Sequence, residues 1–434
     1  MSDLTIGILG FVALFGLMIF RMPVAFAMLA VGFFGTWIVD GLRRAGALML
    51  TETYGAVANY SLVVVPMFIL LGNISSEAGF SRRLYDAAYA WVGRFRGGLA
   101  TASVMGCAAF SAVSGSSVAT AVTIGKVALP EMKRLGYGDG ISTGSIAAGG
   151  TLGFLIPPST GFVIYAILTE ESIGRLFMAG ILPGALMMLL FIGAIWVVTL
   201  RDPAAGPRGE PVALKARFCA LLKALPLLTV ILVSIGGIYL GVFTPVEASG
   251  VGAALTVALA FATRAINLKG FWRAVMDTVR TSAMLYMIVV GANVLNPFLA
   301  LTDIPEALEA TLVALGIGKY GTLLIILLSY VLLGMFLDGL AMLVITVPIY
   351  YPVIMALGFD PIWFGVIAVI VIEMGMITPP VGLNVFVVRN VAQNVPLSTV
   401  FRGVTPFLLA MILCLLLIIL FPDIALIIPN SMFG

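Results

Sequence analysis

The chain has 434 residues, of which 61% are apolar and only 10% charged, and its mean hydropathy is +1.16. Soluble domains carry about 25% charged residues, so this composition excludes a water-soluble globule and places the chain in a bilayer as a polytopic, all-α membrane protein. The 23 basic and 20 acidic residues give a net charge of +3 with no basic, aromatic-interleaved tract, so no nucleic-acid partner is expected; the absence of histidine removes the usual proton relays and HExxH-type metal sites.

From the N-terminus, Met1 to Thr5 carry Asp3 and no basic residue, which is not the n-region of a signal peptide, so the first span is expected to be retained. The apolar pattern predicts spans at 4–20, 24–39, 57–76, 98–130, 141–169, 176–200, 221–243, 246–266, 282–301, 320–352, 362–395 and 405–428. Cys107, Cys219 and Cys414 lie singly in apolar segments, with no pair spaced for a metal site or a disulfide framework.

Two spans, 98–130 and 320–352, are too long for one crossing and have polar or glycine-containing centres, Ser114-Gly115-Ser116-Ser117 and Asp338-Gly339. Each reads as a helical hairpin that enters and leaves on one side. Two others, 141–169 and 362–395, are interrupted by Pro157-Pro158 and Thr378-Pro379-Pro380, where proline removes backbone donors, so they read as broken helices. A shift of 222 residues carries Pro130 to Pro352, Gly153 to Gly375, Pro157 and Pro158 to Pro379 and Pro380, and Val163 to Val385, placing hairpin on hairpin and break on break. The chain is therefore expected to be two copies of one unit, 1–200 and 221–434, joined by a proline- and glycine-rich linker at 201–220 that reads as a short solvated loop.

Basic residues set the orientation. Arg82, Arg83, Arg94 and Arg96 precede the first hairpin and Lys133 and Arg134 follow it, so it enters from the cytoplasm. Asp303, Glu306 and Glu309 precede the second, which enters from outside. Arg201, Arg208, Lys215, Arg217 and Lys223 keep the linker inside, and only Arg43 and Arg44 break the pattern. Both termini then lie outside and the copies run in opposite senses, the inverted-repeat architecture of secondary transporters. The basic, aromatic segment Ser81 to Gly98 suits an interfacial helix, with Ile304 to Lys319 as its counterpart on the outer face.

The chemistry is expected at the tips and breaks. Mid-depth irregular backbone must be buried in protein or line a polar cavity. The hydroxyls of Ser116, Ser117 and Thr120 are oxygen donors suited to a hard cation, and Asp338 stands opposite Ser116 under the repeat. Asp338 also suits the cap of its own hairpin's second arm. Glu373 lies about one turn before the second break, facing the same cavity or a nearby backbone donor. The breaks, Pro157-Pro158-Ser159-Thr160 and Thr378 to Asn384, each give half-helix ends suited to a cation or an anion. Arg389 suits either a substrate anion or snorkelling to the surface, and Thr244 to Glu247 matches a capping box. A GxGD at Gly136 to Asp139 and the Tyr85-Asp86 pair echo intramembrane aspartyl proteases, but both aspartates sit in charged surface stretches.

The segments PMFILLGN (66–73), AAFSAVSGSSVATAVTIGKVALPEM (108–132), GFLIPPS (153–159), FTPVEA (243–248), GMFLDGLAMLVITVPI (334–349) and ITPPVGLNVFVV (377–388) together resemble the large membrane subunit of tripartite ATP-independent periplasmic (TRAP) transporters, the DctM type, over nearly the whole chain. The resemblance implies an elevator-type secondary transporter of the bacterial inner membrane that imports an organic acid anion with Na+ as coupling ion and needs no other cofactor. It implies two partners, a periplasmic substrate-binding protein and a small four-helix membrane subunit unfused here. On the matching positions sodium is expected at Ser114, Gly115, Ser116, Ser117, Gly153, Pro157, Asp338, Gly339, Thr378, Pro379 and Gly382. Substrate is expected at Ser117, Thr120, Ser159, Thr160, Asp338, Gly382, Asn384 and Arg389. The alternative is a sodium-independent anion channel or exchanger on the same scaffold.

Overall fold

The structure, a computed structural model, describes residues 2–314, 316–393 and 395–432. Its described residues form helices and connections, with no strand among them.

The N-terminal half begins with α1 (Asp3–Ile19), α2 (Val24–Asp40), α3 (Leu42–Ala58), α4 (Val64–Glu77) and the amphipathic α5 (Phe80–Val92). Then come α6 (Gly98–Ser114) and α7 (Ser117–Arg134), the two arms of the first hairpin, and α8 (Asp139–Leu155) and α9 (Thr160–Thr169), the two parts of the first broken helix, followed by α10 (Ile173–Arg201). The C-terminal half repeats the order: α11 (Leu214–Tyr239), α12 (Pro245–Ala262), α13 (Leu268–Leu301), α14 (Ile304–Ala314), hairpin arms α15 (Gly318–Gly334) and α16 (Gly339–Ala356), broken-helix parts α17 (Pro361–Gly375) and α18 (Leu383–Ala392), then α19 (Leu397–Leu420) and α20 (Asp423–Met432). Helices α7 and α16 begin 222 residues apart, as do α8 and α17.

Four boundaries differ from the sequence expectation. Residues 42–58 form α3 instead of a connection, because Arg43 and Arg44 are exposed, Glu52 is half-buried, and charge does not forbid a helix. Helix α13 is one continuous 34-residue helix, its exposed Lys269, Arg273, Asp277 and Arg280 extending it well before residue 282. The last span, expected at 405–428, is α19 and then α20, divided at Phe421 and Pro422. Helix α11 starts at Leu214, so the linker is shorter than 201–220; it is a largely exposed loop, and three backbone bonds tie it down: Gly97 N donates to Gly206 O (2.9 Å), Gly209 N to Gly93 O (3.0 Å) and Gly138 N to Ala205 O (2.9 Å). Leu315 and the side chain of Glu309 lie outside the described residues.

The two broken helices form the core. Every residue from Ile141 to Leu155 and from Ile362 to Gly375 is buried, as expected of helices that are apolar or small all round. Small residues bring α8 close to its neighbours: a Cβ on Gly144 would stand 2.2 Å from Gly403 O of α19, and one on Gly150 2.8 Å from Ala121 Cβ of α7. A frame of α2, α3, α4, α12 and α13 packs alongside, with α13 lying against α2, α3 and α4. The capping box at the start of α12 is present, with Glu247 N donating to Thr244 Oγ1 and Thr244 N to Glu247 Oε2.

The halves interlock crosswise. The second hairpin arm α7 packs against α18, the second part of the other half's broken helix, and α16 packs against α9 in the same way. All four elements therefore meet at the middle of the molecule.

Candidate functional site

The first hairpin turns at Gly115, whose φ of +60° suits glycine, and α7 starts at Ser116, whose Oγ accepts from Ala119 N (3.4 Å). The tip is held by the first break. Thr160 donates to Gly115 O twice, from its backbone N (3.2 Å) and from Oγ1 (2.8 Å). A Cβ on Gly115 would stand 2.7 Å from Pro158 O.

The break itself follows from its prolines. Pro158 has no N–H for the carbonyl of Phe154, and Ser159 Oγ donates to that carbonyl instead (2.5 Å) while accepting from Phe162 N (3.3 Å) to cap α9. Pro157, Pro158, Ser159 and Thr160 are all buried.

Oxygens gather beside this joint. Ser114 Oγ and Thr120 Oγ1 are 2.7 Å apart. At Gly153 on α8 the position of a Cβ would be 2.5 Å from Ser116 O and 2.8 Å from Thr120 Oγ1. The Thr120 hydroxyl and the Ser116 carbonyl thus press on α8 where Gly153 leaves room, with the Ser114 hydroxyl hydrogen-bonded to that of Thr120. Neutral oxygens of this kind suit a hard monovalent cation.

The second hairpin and break are more open. Asp338 is exposed and caps α16, its Oδ1 accepting from Leu340 N (3.1 Å) and Ala341 N (3.0 Å). Gly339 is buried, where a Cβ would touch Ile372, Met376 and Phe154, the last of these on the first broken helix. At the second break Thr378 Oγ1 donates to Met374 O (2.6 Å), Asn384 N to Met376 O (3.1 Å), and Gly382, at φ +60°, donates its N–H to Met335 O of the hairpin loop (3.3 Å). Pro379 and Pro380 are exposed, as is Phe336 in the loop before Asp338.

Glu373 joins the halves. It is 1% exposed on α17, its Oε2 accepts from Asn384 Nδ2 (3.3 Å), and the hydroxyl of Ser117 from the first hairpin lies beside its carboxyl group. Its Oε1 and Asn384 Oδ1 are buried without a partner. The observed partner of Glu373 is the Asn384 side chain and not a backbone donor. It stands outside the expected ligand set, and the signal for it was an acid inside the run from Ile362 to Met376.

The expected site residues thus separate into two groups. Ser114, Gly115, Ser116, Thr120, Gly153, Pro157, Ser159 and Thr160 are brought together at the first tip and break, and Ser117 and Asn384 meet at Glu373. Asp338, Thr378 and Pro379 stay with their own hairpin or helix, Gly382 meets the neighbouring hairpin loop and Phe401 of α19, and Gly339 reaches Phe154 of the first broken helix. Arg389 is exposed in the last turn of α18, the snorkelling position, and is not among the buried groups. The protease pair does not form a site either, since Asp86 and Asp139 are both exposed.

The chain is similar to known proteins. The family model described as "Tripartite ATP-independent periplasmic transporter, DctM component" matches residues 11–424. The chain is 37% identical to the C4-dicarboxylate TRAP transporter large permease protein of Pseudomonas aeruginosa, covering 89% of this chain and 90% of that one. It is 33% identical to the sialic acid TRAP transporter large permease protein of Vibrio cholerae, over 96% and 97% of the two chains. Among solved structures the YdaH transporter of Alcanivorax borkumensis aligns with a TM-score of 0.63 over 90% of this chain and 88% of its own, at 17% identity, a likeness of fold alone. Paired hairpins and paired broken helices in a multi-pass helical membrane protein, with a family match across nearly all of it, lead to one assignment: the chain belongs to the DctM component family of the tripartite ATP-independent periplasmic transporters.

Proposed function

We propose that the chain is the large transmembrane subunit of a TRAP transporter that imports an organic acid anion by sodium-coupled, elevator-type secondary transport. It is a transporter subunit and not an enzyme. The observation that carries the reading is the crossed packing of α7 on α18 and α16 on α9, which gathers both tips and both breaks into one block beside the frame of α2, α3, α4, α12 and α13. A block of that kind moves as a unit, with the two halves in inverted orientation and both termini on the periplasmic side of the inner membrane.

In this reading the hydroxyls of Ser114 and Thr120 and the carbonyl of Ser116, against Gly153, hold one sodium ion. The second tip and break, Asp338 to Gly339 and Thr378 to Gly382, supply a second site. Substrate lies between them, near Ser117, Ser159, Thr160 and Asn384, with its negative charge toward the half-helix N-termini of α9 and α18. Relatives named for C4-dicarboxylates and for sialic acid support an acid as substrate. Each positive charge moved inward across 100 mV contributes about 2.3 kcal/mol, so sodium entry drives uptake of the anion. A periplasmic binding protein delivers the substrate and a small membrane subunit completes the complex, as in the family at large.

The test is uptake into proteoliposomes holding this chain with its small subunit, fed by its binding protein loaded with radiolabelled ligand. Accumulation is expected under an inward sodium gradient and not under an equal potassium gradient. Accumulation that is indifferent to the cation contradicts the reading.

A further inference from the structure

Away from the tips and breaks, a cavity of 540 Å³ opens where the end of α5, the start of α6, the last turns of α10 and the linker between the halves meet. Its walls include Arg96, Arg208, Phe95, Trp196, Ile192 and Leu200. The two arginines are there because of the linker's backbone. Gly97 N donates to Gly206 O and Gly209 N to Gly93 O, so Arg96 and Arg208 sit inside the ring these two bonds close. Glycines permit the approach: a Cβ on Gly206 would stand 2.7 Å from Thr199 Cγ2, and one on Gly209 2.7 Å from Gly93 O.

Neither guanidinium is paired with a carboxylate among the described residues. Two guanidiniums without a carboxylate partner therefore line the same cavity as the apolar Trp196, Phe95 and Leu200, which are 62%, 53% and 54% exposed. Arginine pairs suit phosphate oxygens. Exposed tryptophan and phenylalanine at a helix end mark the headgroup level, where basic pockets between membrane helices take anionic lipid headgroups.

We propose that this cavity binds one anionic phospholipid, its phosphate on Arg96 and Arg208 and its glycerol and upper acyl chains on Phe95, Trp196, Ile192 and Leu200. The lipid ties the linker between the halves to the base of the first hairpin. The inference rests on the chain's place in a membrane and not on sodium coupling, so either can fail without the other.

The purified chain in neutral detergent is titrated with phosphatidylglycerol, with phosphatidylcholine of the same acyl chains, and with inorganic phosphate. Phosphatidylglycerol is expected to raise the melting temperature by about 5 °C, and the other two to leave it unchanged. The double variant Arg96→Gln/Arg208→Gln loses at least half of that shift, whereas Lys269→Gln/Arg280→Gln, an equal charge change on exposed residues of α13, keeps it. Native mass spectrometry of the unaltered chain, which needs no variant to fold, retains one phosphatidylglycerol against excess phosphatidylcholine. Equal stabilisation by phosphatidylcholine, stabilisation by phosphate alone, an undiminished shift in the Arg96/Arg208 variant, or no retained lipid overturns the proposal.

Discussion

The carbonyl oxygen of Gly115, at the turn of the first hairpin, accepts both the backbone N–H and the hydroxyl of Thr160, the first residue of α9. The hairpin and the broken helix are thereby one joint, 45 residues apart in sequence. Gly115→Ala strains a φ of +60° and drives a Cβ toward Pro158 O, so it is expected to cost about 1–3 kcal/mol. Thr160→Val removes only the hydroxyl bond and costs about 1 kcal/mol. Denaturation midpoints in detergent check both, and the order of the two losses is the informative part.

At Gly153 the hairpin leaves no room for a side chain. Gly153→Ala sets a Cβ against Ser116 O and Thr120 Oγ1, and overpacking of this kind costs about 1–3 kcal/mol while pushing the first tip off α8. Gly193→Ala on α10, where nothing lies within 4 Å, is expected to cost no stability. If sodium binds at this tip, the first substitution also abolishes sodium-dependent stabilisation and the second preserves it; the reverse pattern refutes the placement.

Asp338 offers a way to separate a cap from an ion ligand. Asparagine caps a helix as well as aspartate does, so Asp338→Asn is expected to keep the stability of the sodium-free protein, whereas Asp338→Ala loses about 1 kcal/mol of capping. Sodium-dependent uptake falls in both if the carboxylate binds the ion. Full uptake in Asp338→Asn assigns the residue to capping alone.

Asn384→Ala removes the amide that donates to Glu373 Oε2 and is expected to cost about 1–3 kcal/mol. Ser117 lies beside the same carboxyl group from the other half. The double variant with Ser117→Ala should therefore deviate from additivity by about 0.5 kcal/mol or more. Strict additivity in a double-mutant cycle indicates that the two halves are not coupled through Glu373.

Much of this architecture was legible because its signals are local. Pro157-Pro158 and Pro379-Pro380 each remove two backbone donors, and small polar residues cannot sit in hydrocarbon unburied, so tips and breaks announce themselves. Their spacing also gave the repeat order. Helix α3 and the first half of α13 were missed because spans were read from apolarity, and a helix with an exposed charged face fails that reading without failing to be a helix. The linker is the exposed loop its glycines and prolines predict, but composition does not show that Gly206 and Gly209 also let it approach Gly97 and Gly93. That Ser117 meets Glu373 was beyond reach, since it depends on how α7 of one half crosses α18 of the other.

The account centres on sodium held at the hairpin tips. Its most direct test is the thermal stability of the purified chain in detergent, titrated with sodium against potassium and choline at constant ionic strength. Sodium at 100 times its Kd stabilises the folded state by about 2.7 kcal/mol. A sodium-specific rise is expected, and it is lost in Thr120→Val, which removes a ligand hydroxyl, and in Gly153→Ala. An identical melting temperature in all three cations, or a sodium rise that survives both substitutions, contradicts it.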